Sequence, residues 1–278
     1  MAQHSGRSLA VGHDCIPLTT AETSGAGMPG AFAKYLAALA EFDEIATTSG
    51  ASEAEFTGWA AMTGEGTRMP AISRVQLPTS GSPVSVYGEP EGTADGPAAG
   101  RLPLVLVVGS HEPRKNHLRV LDAAERLWQS GHRFELVMVG GNSWDAEEFT
   151  RTVAQLRAAG NPISILTSAS DAELWTLYRR AEFSFFVSLN EGFGLPIGES
   201  ITNGTPVVTS SFGSMAELGA GRGGRLVDPK SAEAIAGAMR ELLDEPAALA
   251  ALRQAADRAE GRTWAEYSAQ LWERLTGA

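Results

Sequence analysis

From residue 102 onward, short runs of apolar and often β-branched residues alternate with longer segments of helical periodicity. The runs predict strands at 104–108, 134–139, 163–166, 183–187, 206–209 and 224–227. The segments between and after them predict helices at 116–129, about 145–158, 171–180, 196–203, 232–243, 246–259 and 264–275, with Asp145 and Asp171 as helix caps. Strands that are apolar on both faces indicate a parallel sheet covered by helices on both sides. The pattern therefore predicts a Rossmann-like α/β domain.

The first hundred residues have a weaker pattern of the same kind. They predict strands at 8–12, 44–48 and 72–77 and helices at 30–39 and 52–61. Residues 79–100 then hold five Gly and three Pro with almost no apolar pattern, which is typical of a linker. We therefore divide the chain into a partial N-terminal α/β lobe (1–78), a linker (79–101) and a Rossmann-like domain (102–278). The N-terminal lobe is too short for a complete doubly wound domain.

Charge and composition exclude several classes of protein. The formal net charge of −11 argues against nucleic-acid binding. The longest apolar runs are far too short to cross a bilayer, and residues 1–10 have no apolar stretch of signal-peptide length. Cys15 is the only cysteine, which fits a reducing cytoplasm, and we interpret it as a small buried residue.

The segment 187–199 follows a predicted buried strand and opens a helix. Gly192 and Gly194 allow a ligand to approach the backbone, and Pro196 suits a first helical turn. The positive end of the helix dipole favours an anion there. Glu191, at the strand's carboxyl end, and Glu199, one turn into the helix, could bind sugar or ribose hydroxyls beside that anion. An ordinary glycine-rich turn with two solvated acids fits the spacing equally well.

A second polar cluster, residues 109–116, follows the first strand of the same domain. Arg114 and Lys115 could neutralise a diphosphate, although a solvated basic pair near a helix start is the simpler alternative. His111 and His117 are expected at the surface near that pair. Because the first and fourth strands end at the same edge of such a sheet, the two clusters can converge on one ligand.

With these motifs, the sequence resembles the C-terminal half of retaining glycosyltransferases of family 4, which have the GT-B architecture. The resemblance runs almost continuously from about residue 104 to 275. It rests on 109–116, on Glu191-Gly-Phe-Gly-Leu-Pro with Glu199 beyond it, and on the segments 203–209, 213–218 and 224–229.

The resemblance implies a nucleoside-diphosphate sugar as donor and no metal or other cofactor. By this resemblance, Arg114 and Lys115 would contact the diphosphate. Glu191 would contact the transferred sugar, and Glu199 would contact the ribose. Further residues are expected beside the donor's phosphates, sugar and base: Gly109, Gly140, Gly141, Thr167, Ser168, Gly192, Phe193, Gly194 and Leu195.

The N-terminal lobe adds one further match. Residues 11–17 resemble the family's His-Asp-x-x-Pro segment, which implies that His13 contacts the donor sugar or the reacting centre; the residue pattern alone favours a structural histidine. Complete enzymes of this type carry a full N-terminal Rossmann domain, so we expect the first half of that lobe to be absent here and acceptor binding to be affected.

The sequence thus predicts a retaining hexosyltransferase that uses a nucleotide sugar, with GDP-mannose as the donor by analogy. The acceptor would be a saccharide or a lipid-linked saccharide in surface polysaccharide or glycolipid synthesis. We expect a cytoplasmic protein, with peripheral contact at the inner face of the membrane left open. One alternative is a truncated module that binds a nucleotide sugar without transferring it. Another is a different nucleotide-using α/β enzyme, such as an epimerase or a phosphorylase.

Overall fold

The computed structural model describes residues 7–63, 68–79 and 101–277. These residues divide into two units. The first consists of the described residues up to 79, together with 190–193 and 262–277, and the second of 101–189 and 194–261. The chain therefore enters the first unit three times, and each unit is described separately below.

The first unit contains a parallel sheet in the order β1-β2-β3, formed by Leu9–Gly12, Glu44–Thr47 and Ala71–Arg74. Its helices are α1 (Ile16–Thr19), α2 (Met28–Leu39), α3 (Gly50–Met62) and α11 (Trp264–Thr276), and a 3₁₀ turn spans Ala21–Thr23. Ile45 and Phe56 are completely buried in its core. The predicted strands and helices of this region are all present, with ends that differ by a few residues.

The second unit contains a six-stranded parallel sheet in the order β6-β5-β4-β7-β8-β9. Its strands are β4 (Leu104–Val108), β5 (Glu135–Val139), β6 (Ile163–Leu166), β7 (Phe183–Phe186), β8 (Val207–Ser210) and β9 (Gly224–Val227). This order reverses direction between β4 and β7, and open α/β sheets bind ligands in the crevice at such a reversal, outside the carboxyl ends of the strands.

Seven helices of the second unit are described, and together they cover both faces of the sheet. They are α4 (His117–Gln129), α5 (Glu147–Ala158), α6 (Asp171–Arg180), α7 (Leu195–Thr202), α8 (Gly213–Gly219), α9 (Ala232–Asp244) and α10 (Pro246–Asp257). In β4, Val105 and Val107 belong to one hydrophobic cluster and Leu104 and Leu106 to another. Successive side chains of a strand point to opposite faces, so the continuous apolar runs reflect burial on both sides. The predicted α/β fold class is confirmed.

Two predicted helix caps are wrong. Asp145 has φ 57° and α5 begins after it, with Ala146 at the cap position. At α6 the cap is Ser170, whose side chain accepts from the Glu173 N–H while the Glu173 carboxylate accepts from the Ser170 N–H. A serine three residues before a glutamate is the capping-box pattern, so the sequence contained this signal. Helix α8 was not among the predicted elements.

The boundaries of the units differ from the sequence division in two places. Residues 190–193 and the C-terminal helix α11 lie with the first unit, where Tyr267 packs with Ala46 and Val75. The predicted linker falls largely outside the described residues. Within those residues, no helix is both long enough and apolar enough to cross a membrane.

Candidate functional site

Two glycines bring the chain after β4 and the chain after β5 close together. The Gly109 N–H donates to the Val139 carbonyl (2.9 Å), and Gly140 follows with φ 155°. A Cβ atom at Gly140 would lie 2.0 Å from the carbonyl oxygen of Gly109. Only glycine fits at Gly140. Gly109 has room for a Cβ atom but has φ 149°, which also favours glycine.

Arg114 and Lys115 lie in a 3₁₀ turn, Pro113–Lys115, at the carboxyl end of β4. The Arg114 guanidinium donates to Glu112 Oε1 (2.5 Å), and both side chains are largely buried. A buried carboxylate needs such a partner, because its desolvation is costly otherwise. Sequence reasoning missed Glu112. An acid two residues before the arginine was the available signal.

Lys115 and the start of α7 both lie against the ring of Phe186, the last residue of β7. The Lys115 Nζ is 4.9 Å from the centre of that ring. Gly194 faces the same ring, since a Cβ atom added at Gly194 would lie 3.6 Å from Phe186 Cε1. Lys115 of the basic turn and Gly194 of the glycine-rich turn therefore lie against the same ring in the second unit. That the two turns bind one ligand stays a prediction.

Asn116 holds this arrangement together. It has φ 62°, which asparagine tolerates better than most residues, and its side-chain amide donates to the carbonyls of Val187 (3.0 Å) and Pro229 (2.8 Å). The Leu189 N–H donates to the Arg114 carbonyl (2.8 Å). These hydrogen bonds fasten the turn after β4 to the chain that leaves β7.

Helix α7 begins at Leu195, with Gly194 as its cap residue at φ 99° and Pro196 in its first turn. No side chain caps this end. The first N–H groups of a helix have no partner within the helix, so this end carries partial positive charge and favours an anion. Leu195, the first residue of the helix, is exposed, whereas the cap residue Gly194 is buried.

Glu199 lies one turn into α7 and is half-buried. Its Oε2 accepts a hydrogen bond from the hydroxyl of Tyr178 (3.0 Å), a completely buried residue of α6. Burial raises the pKa of Glu199, while the Tyr178 hydrogen bond opposes that rise and Asp171 adds to it. The alternative of a solvated acid therefore does not hold for Glu199, and its contact with a ribose stays a prediction. Sequence reasoning missed Tyr178, the hydrogen-bond partner of this carboxylate.

The residues predicted near the nucleobase lie at the ends of β5 and β6. The Gly141 carbonyl accepts from the His111 N–H (2.9 Å), and Thr167 and Ser168 are exposed. Ser168 lines a cavity of about 420 Å³ together with Leu166, Ala169 and side chains of α6. Their role at a nucleobase stays a prediction.

His13, Glu191, Gly192 and Phe193 belong to the first unit. The structure brings the backbones of His13 and Gly192 into contact, since a Cβ at Gly192 would be 2.3 Å from the His13 carbonyl oxygen. The His13 side chain is exposed, Glu191 is half-buried and Phe193 is buried. Two of the predicted catalytic residues, His13 and Glu191, therefore lie on adjoining stretches of chain in this unit.

Three hydroxyl groups of the first unit hold this contact. The Gly192 carbonyl oxygen lies within hydrogen-bond distance of the hydroxyls of Thr48 (3.3 Å), Ser49 (2.6 Å) and Ser52 (2.9 Å). The His13 carbonyl oxygen lies within the same reach of the hydroxyls of Thr48 (3.0 Å) and Ser52 (2.5 Å). The three hydroxyls have three protons to donate, and the two carbonyl oxygens have four lone pairs to accept them. Each hydroxyl can therefore donate one hydrogen bond to a carbonyl. This cluster has no signal in the sequence, because the residues between β2 and α3 and the first turn of α3 contribute it from positions remote from residue 192.

The expectation that His111 and His117 lie at the surface is wrong. They are 2% and 6% exposed, and the His111 ring stacks on Phe149 with ring centres 4.1 Å apart. Burial lowers the pKa of His117 to about 4, so its ring is neutral and its Nε2 donates to the Ser110 carbonyl (3.0 Å). His117 therefore fixes the backbone at Ser110, in the segment that leads from β4 to the basic turn.

Metal chemistry has no evident site in the part of the chain that the structure describes. There, no group of three or more His, Cys, Asp or Glu side chains is arranged to hold a metal ion. That no metal or other cofactor is needed stays a prediction.

The family model of glycosyl transferases group 1 matches residues 92–259, more than half of the chain. The chain belongs to the group 1 glycosyl transferases. The matched segment contains Arg114, Lys115, Glu191 and Glu199, all singled out above.

This group 1 glycosyl transferase is similar to two curated proteins of Escherichia coli. It is 28% identical over 202 residues to the serotype-specific mannosyltransferase WbdA, across 70% of this chain and 25% of WbdA. It is 33% identical over 141 residues to O-antigen chain mannosyltransferase B, across 50% of this chain and 36% of that protein. The chain thus spans about a quarter to a third of the length of these relatives.

Among solved structures, the group 1 glycosyl transferase resembles sucrose-phosphate synthase from Thermosynechococcus elongatus. The TM-score is 0.71 at 20% identity, over 97% of this chain and 68% of that one. At this identity the likeness shows the fold alone, which is that of a GT-B glycosyltransferase structure.

Proposed function

We propose that this chain is a retaining glycosyltransferase of family 4 that moves a sugar from a nucleoside-diphosphate sugar to a saccharide or lipid-linked saccharide acceptor. One observation carries the proposal: Lys115 and the N-terminal turn of α7 lie against the same Phe186 ring, at the reversal of strand order between β4 and β7. A cation and a helix N-terminus at that position are suited to a diphosphate.

The charges at this position suit the chemistry of a leaving diphosphate. Negative charge grows on the diphosphate as its bond to the sugar breaks, and preorganised positive groups stabilise that change most. Lys115 supplies a point charge and α7 supplies backbone N–H groups. Arg114 is already paired with Glu112, so we assign it a smaller net charge effect and a role in fixing the turn.

The carboxylates have a different role, because a carboxylate repels phosphate and accepts from hydroxyls. Glu199, in the second turn of the same helix, would accept hydrogen bonds from the ribose hydroxyls. Glu191 would accept from the hydroxyls of the transferred sugar, and His13 would contact the same sugar. These last two roles are supported by the family resemblance of their motifs.

Retention of configuration follows from attack on the face that the diphosphate leaves. The bond between the sugar's anomeric carbon and the phosphate oxygen breaks as an oxocarbenium-like centre develops. The acceptor hydroxyl oxygen forms the new bond to that carbon and gives its proton to the departing phosphate oxygen. This route needs no protein base, and the leaving group carries away the charge that Lys115 and α7 stabilise.

The identity of the sugar is proposed from the relatives. WbdA and O-antigen chain mannosyltransferase B are both named mannosyltransferases, and the second name places its product in the O-antigen. We therefore propose mannose as the sugar, GDP-mannose as the donor and a surface polysaccharide as the product.

The test is donor binding by isothermal titration calorimetry, followed by an assay of transfer. The 278-residue chain is titrated with GDP-mannose, GDP, UDP-glucose and UDP, and the Lys115→Ala variant is titrated in parallel. Arg151→Ala, which removes an exposed cation of α5, is the matched control. We expect GDP-mannose to bind the wild type and the control, and Lys115→Ala to lose about tenfold or more in affinity, as for a charge-assisted contact to phosphate.

The outcomes separate the alternatives. Transfer of mannose to an oligosaccharide, with an α-linked product by NMR, would support the complete proposal, because the donor is α-linked. Donor binding without transfer to any acceptor would support the alternative of a nucleotide-sugar-binding module. The proposal fails if no nucleotide or nucleotide sugar binds, or if Lys115→Ala binds as the wild type does.

A further inference from the structure

Tyr178 is a tyrosine in a place where packing alone requires only a phenylalanine. It is 0% exposed, its ring stacks on Trp175 with centres 6.0 Å apart, and it belongs to the cluster that includes Leu104 and Val137. Burying a hydroxyl in such surroundings is costly unless it finds a hydrogen-bond partner. Packing of the ring therefore does not explain why this position has a hydroxyl group.

The partner of that hydroxyl is the candidate ribose-binding carboxylate. The Tyr178 hydroxyl lies 3.0 Å from Glu199 Oε2 and 3.3 Å from the Pro196 carbonyl oxygen. A hydroxyl has one proton to donate, and a carboxylate is a stronger acceptor than a carbonyl. The Tyr178 hydroxyl therefore donates its hydrogen bond to Glu199 rather than to Pro196. Burial raises the pKa of Tyr178 well above its usual range, so the hydroxyl stays a donor at any physiological pH.

The Tyr178 hydrogen bond restricts the orientation of Glu199, which has the more flexible side chain of the two. A glutamate has three side-chain torsions, and orienting it at the moment of binding costs conformational entropy. Tyr178 is fixed by its core contacts and by the Thr205 hydroxyl, which donates to its backbone carbonyl (2.6 Å). A rigid donor at Oε2 therefore selects one orientation of the carboxylate and leaves Oε1 to accept from a ligand.

We propose that Tyr178 is a positioning residue for the nucleotide: its buried hydroxyl holds the Glu199 carboxylate in the orientation that accepts hydrogen bonds from the ribose hydroxyls. The inference rests on the proposed function, since it needs a nucleotide with its ribose at Glu199. It assigns a role to α6, which carries none of the motif residues.

The experiment compares GDP with 2′,3′-dideoxy-GDP, which lacks the ribose hydroxyls, by calorimetry on the full chain. We expect the wild type to prefer GDP by about tenfold. Tyr178→Phe keeps the ring and removes the hydroxyl, so it should bind GDP about as weakly as the dideoxy analogue, while its affinity for the analogue stays at the wild-type value. Tyr35→Phe, at the exposed Tyr35 of α2, should leave both affinities unchanged.

A merely structural role would give a different result. Damage to the core of the second unit would weaken binding of GDP and of the analogue together. The proposal is overturned by such a parallel loss, or by Tyr178→Phe retaining the full preference for GDP.

A second variant avoids the core altogether. Glu199→Asp keeps the charge but withdraws the carboxylate from the Tyr178 hydroxyl by one methylene. It should also lose the preference for GDP, and a retained preference would overturn the inference even if Tyr178→Phe does not fold. If the wild type binds GDP and the analogue equally, the inference fails while the proposed donor site stands. If it binds neither, both fail.

Discussion

The hydroxyl of Ser49 donates a hydrogen bond of 2.6 Å to the carbonyl oxygen of Gly192, although 143 residues separate them in the chain. The same serine caps α3, where its side chain accepts from the Ser52 N–H (3.0 Å). One side chain therefore both starts a helix and holds the segment 190–193, which contains the predicted catalytic residue Glu191.

We expect Ser49→Ala to lower the free energy of unfolding by about 1–2 kcal/mol, because it removes a helix cap and a buried hydrogen bond. Urea unfolding followed by circular dichroism measures this. Thr57→Ala, at an exposed position of the same helix, is the control and should change the free energy by less than about 0.5 kcal/mol. Equal effects of the two substitutions would contradict the double role of Ser49.

Gly140→Ala should be far more damaging than Gly141→Ala. At Gly140 the new methyl group would lie 2.0 Å from the Gly109 carbonyl oxygen, and φ is 155°. At Gly141 the nearest atom is the Thr167 carbonyl oxygen at 3.7 Å, an ordinary contact. We expect a loss of about 3 kcal/mol or more for Gly140→Ala and about 1 kcal/mol or less for Gly141→Ala, measured by thermal and urea unfolding. A tolerated Gly140→Ala would show that the chains after β4 and β5 are farther apart.

His117 should make stability fall as the pH falls. Its pKa is about 4 in the folded protein against 6.5 for an unperturbed histidine, so below about pH 6.5 only the unfolded chain takes up the proton. The free energy of unfolding is therefore reduced between about pH 6.5 and pH 4, by about 3 kcal/mol over the whole window. Above pH 6.5 the contribution of His117 is constant.

The check is urea unfolding at pH 7.5 and pH 5.0 for the wild type and His117→Gln, which keeps an amide donor for the Ser110 carbonyl. The variant should lose less stability between the two pH values. His132→Gln, at a less buried histidine that pairs with Asp244 (3.1 Å), controls for loss of a histidine in general. The same pH dependence in His117→Gln and the wild type would disprove the buried neutral histidine.

Cys15 should react slowly with alkylating reagents in the folded protein. It is 2% exposed, and burial, followed by the nearby carboxylates of Glu55 and Asp14, raises its pKa to about 12. The thiolate is the reactive form, so iodoacetamide at pH 8 should modify the folded chain about a hundredfold or more slowly than the urea-unfolded chain. Mass spectrometry measures the rate, and Cys15→Ala confirms that no other residue is labelled. Similar rates in both states would contradict the burial.

Much of the fold was predictable because each element carries its own local signal. The six strands of the second unit were found because burial on both faces produces continuous apolar runs such as 104–108. Helices α4 and α9 were found from their amphipathic periodicity. Helix α8 was missed, because a seven-residue helix that begins with glycine has too little periodicity to detect.

The candidate site divides in the same way. Arg114, Lys115, Gly194 and Glu199 could be predicted because motifs at strand ends carry them. Tyr178 could not, since the partner of Glu199 depends on which side chains face each other after folding. Glu112 was missed although it stands only two residues before Arg114, because spacing alone does not show that the two side chains pair. The two misplaced histidines have the same cause: a histidine near a turn gives no sign of the Phe149 ring that covers it.

The sequence by itself determined the parallel α/β class, the order of the elements and the motif residues of a group 1 glycosyl transferase. These depend on periodicity and on residue types within a few positions of one another. Only the tertiary structure decided that residues 190–193 and α11 pack with the first unit, that Ser49 holds Gly192 and that Tyr178 holds Glu199. Such contacts join positions far apart in the chain, and their energies depend on distance and burial, neither of which a local pattern of residues encodes.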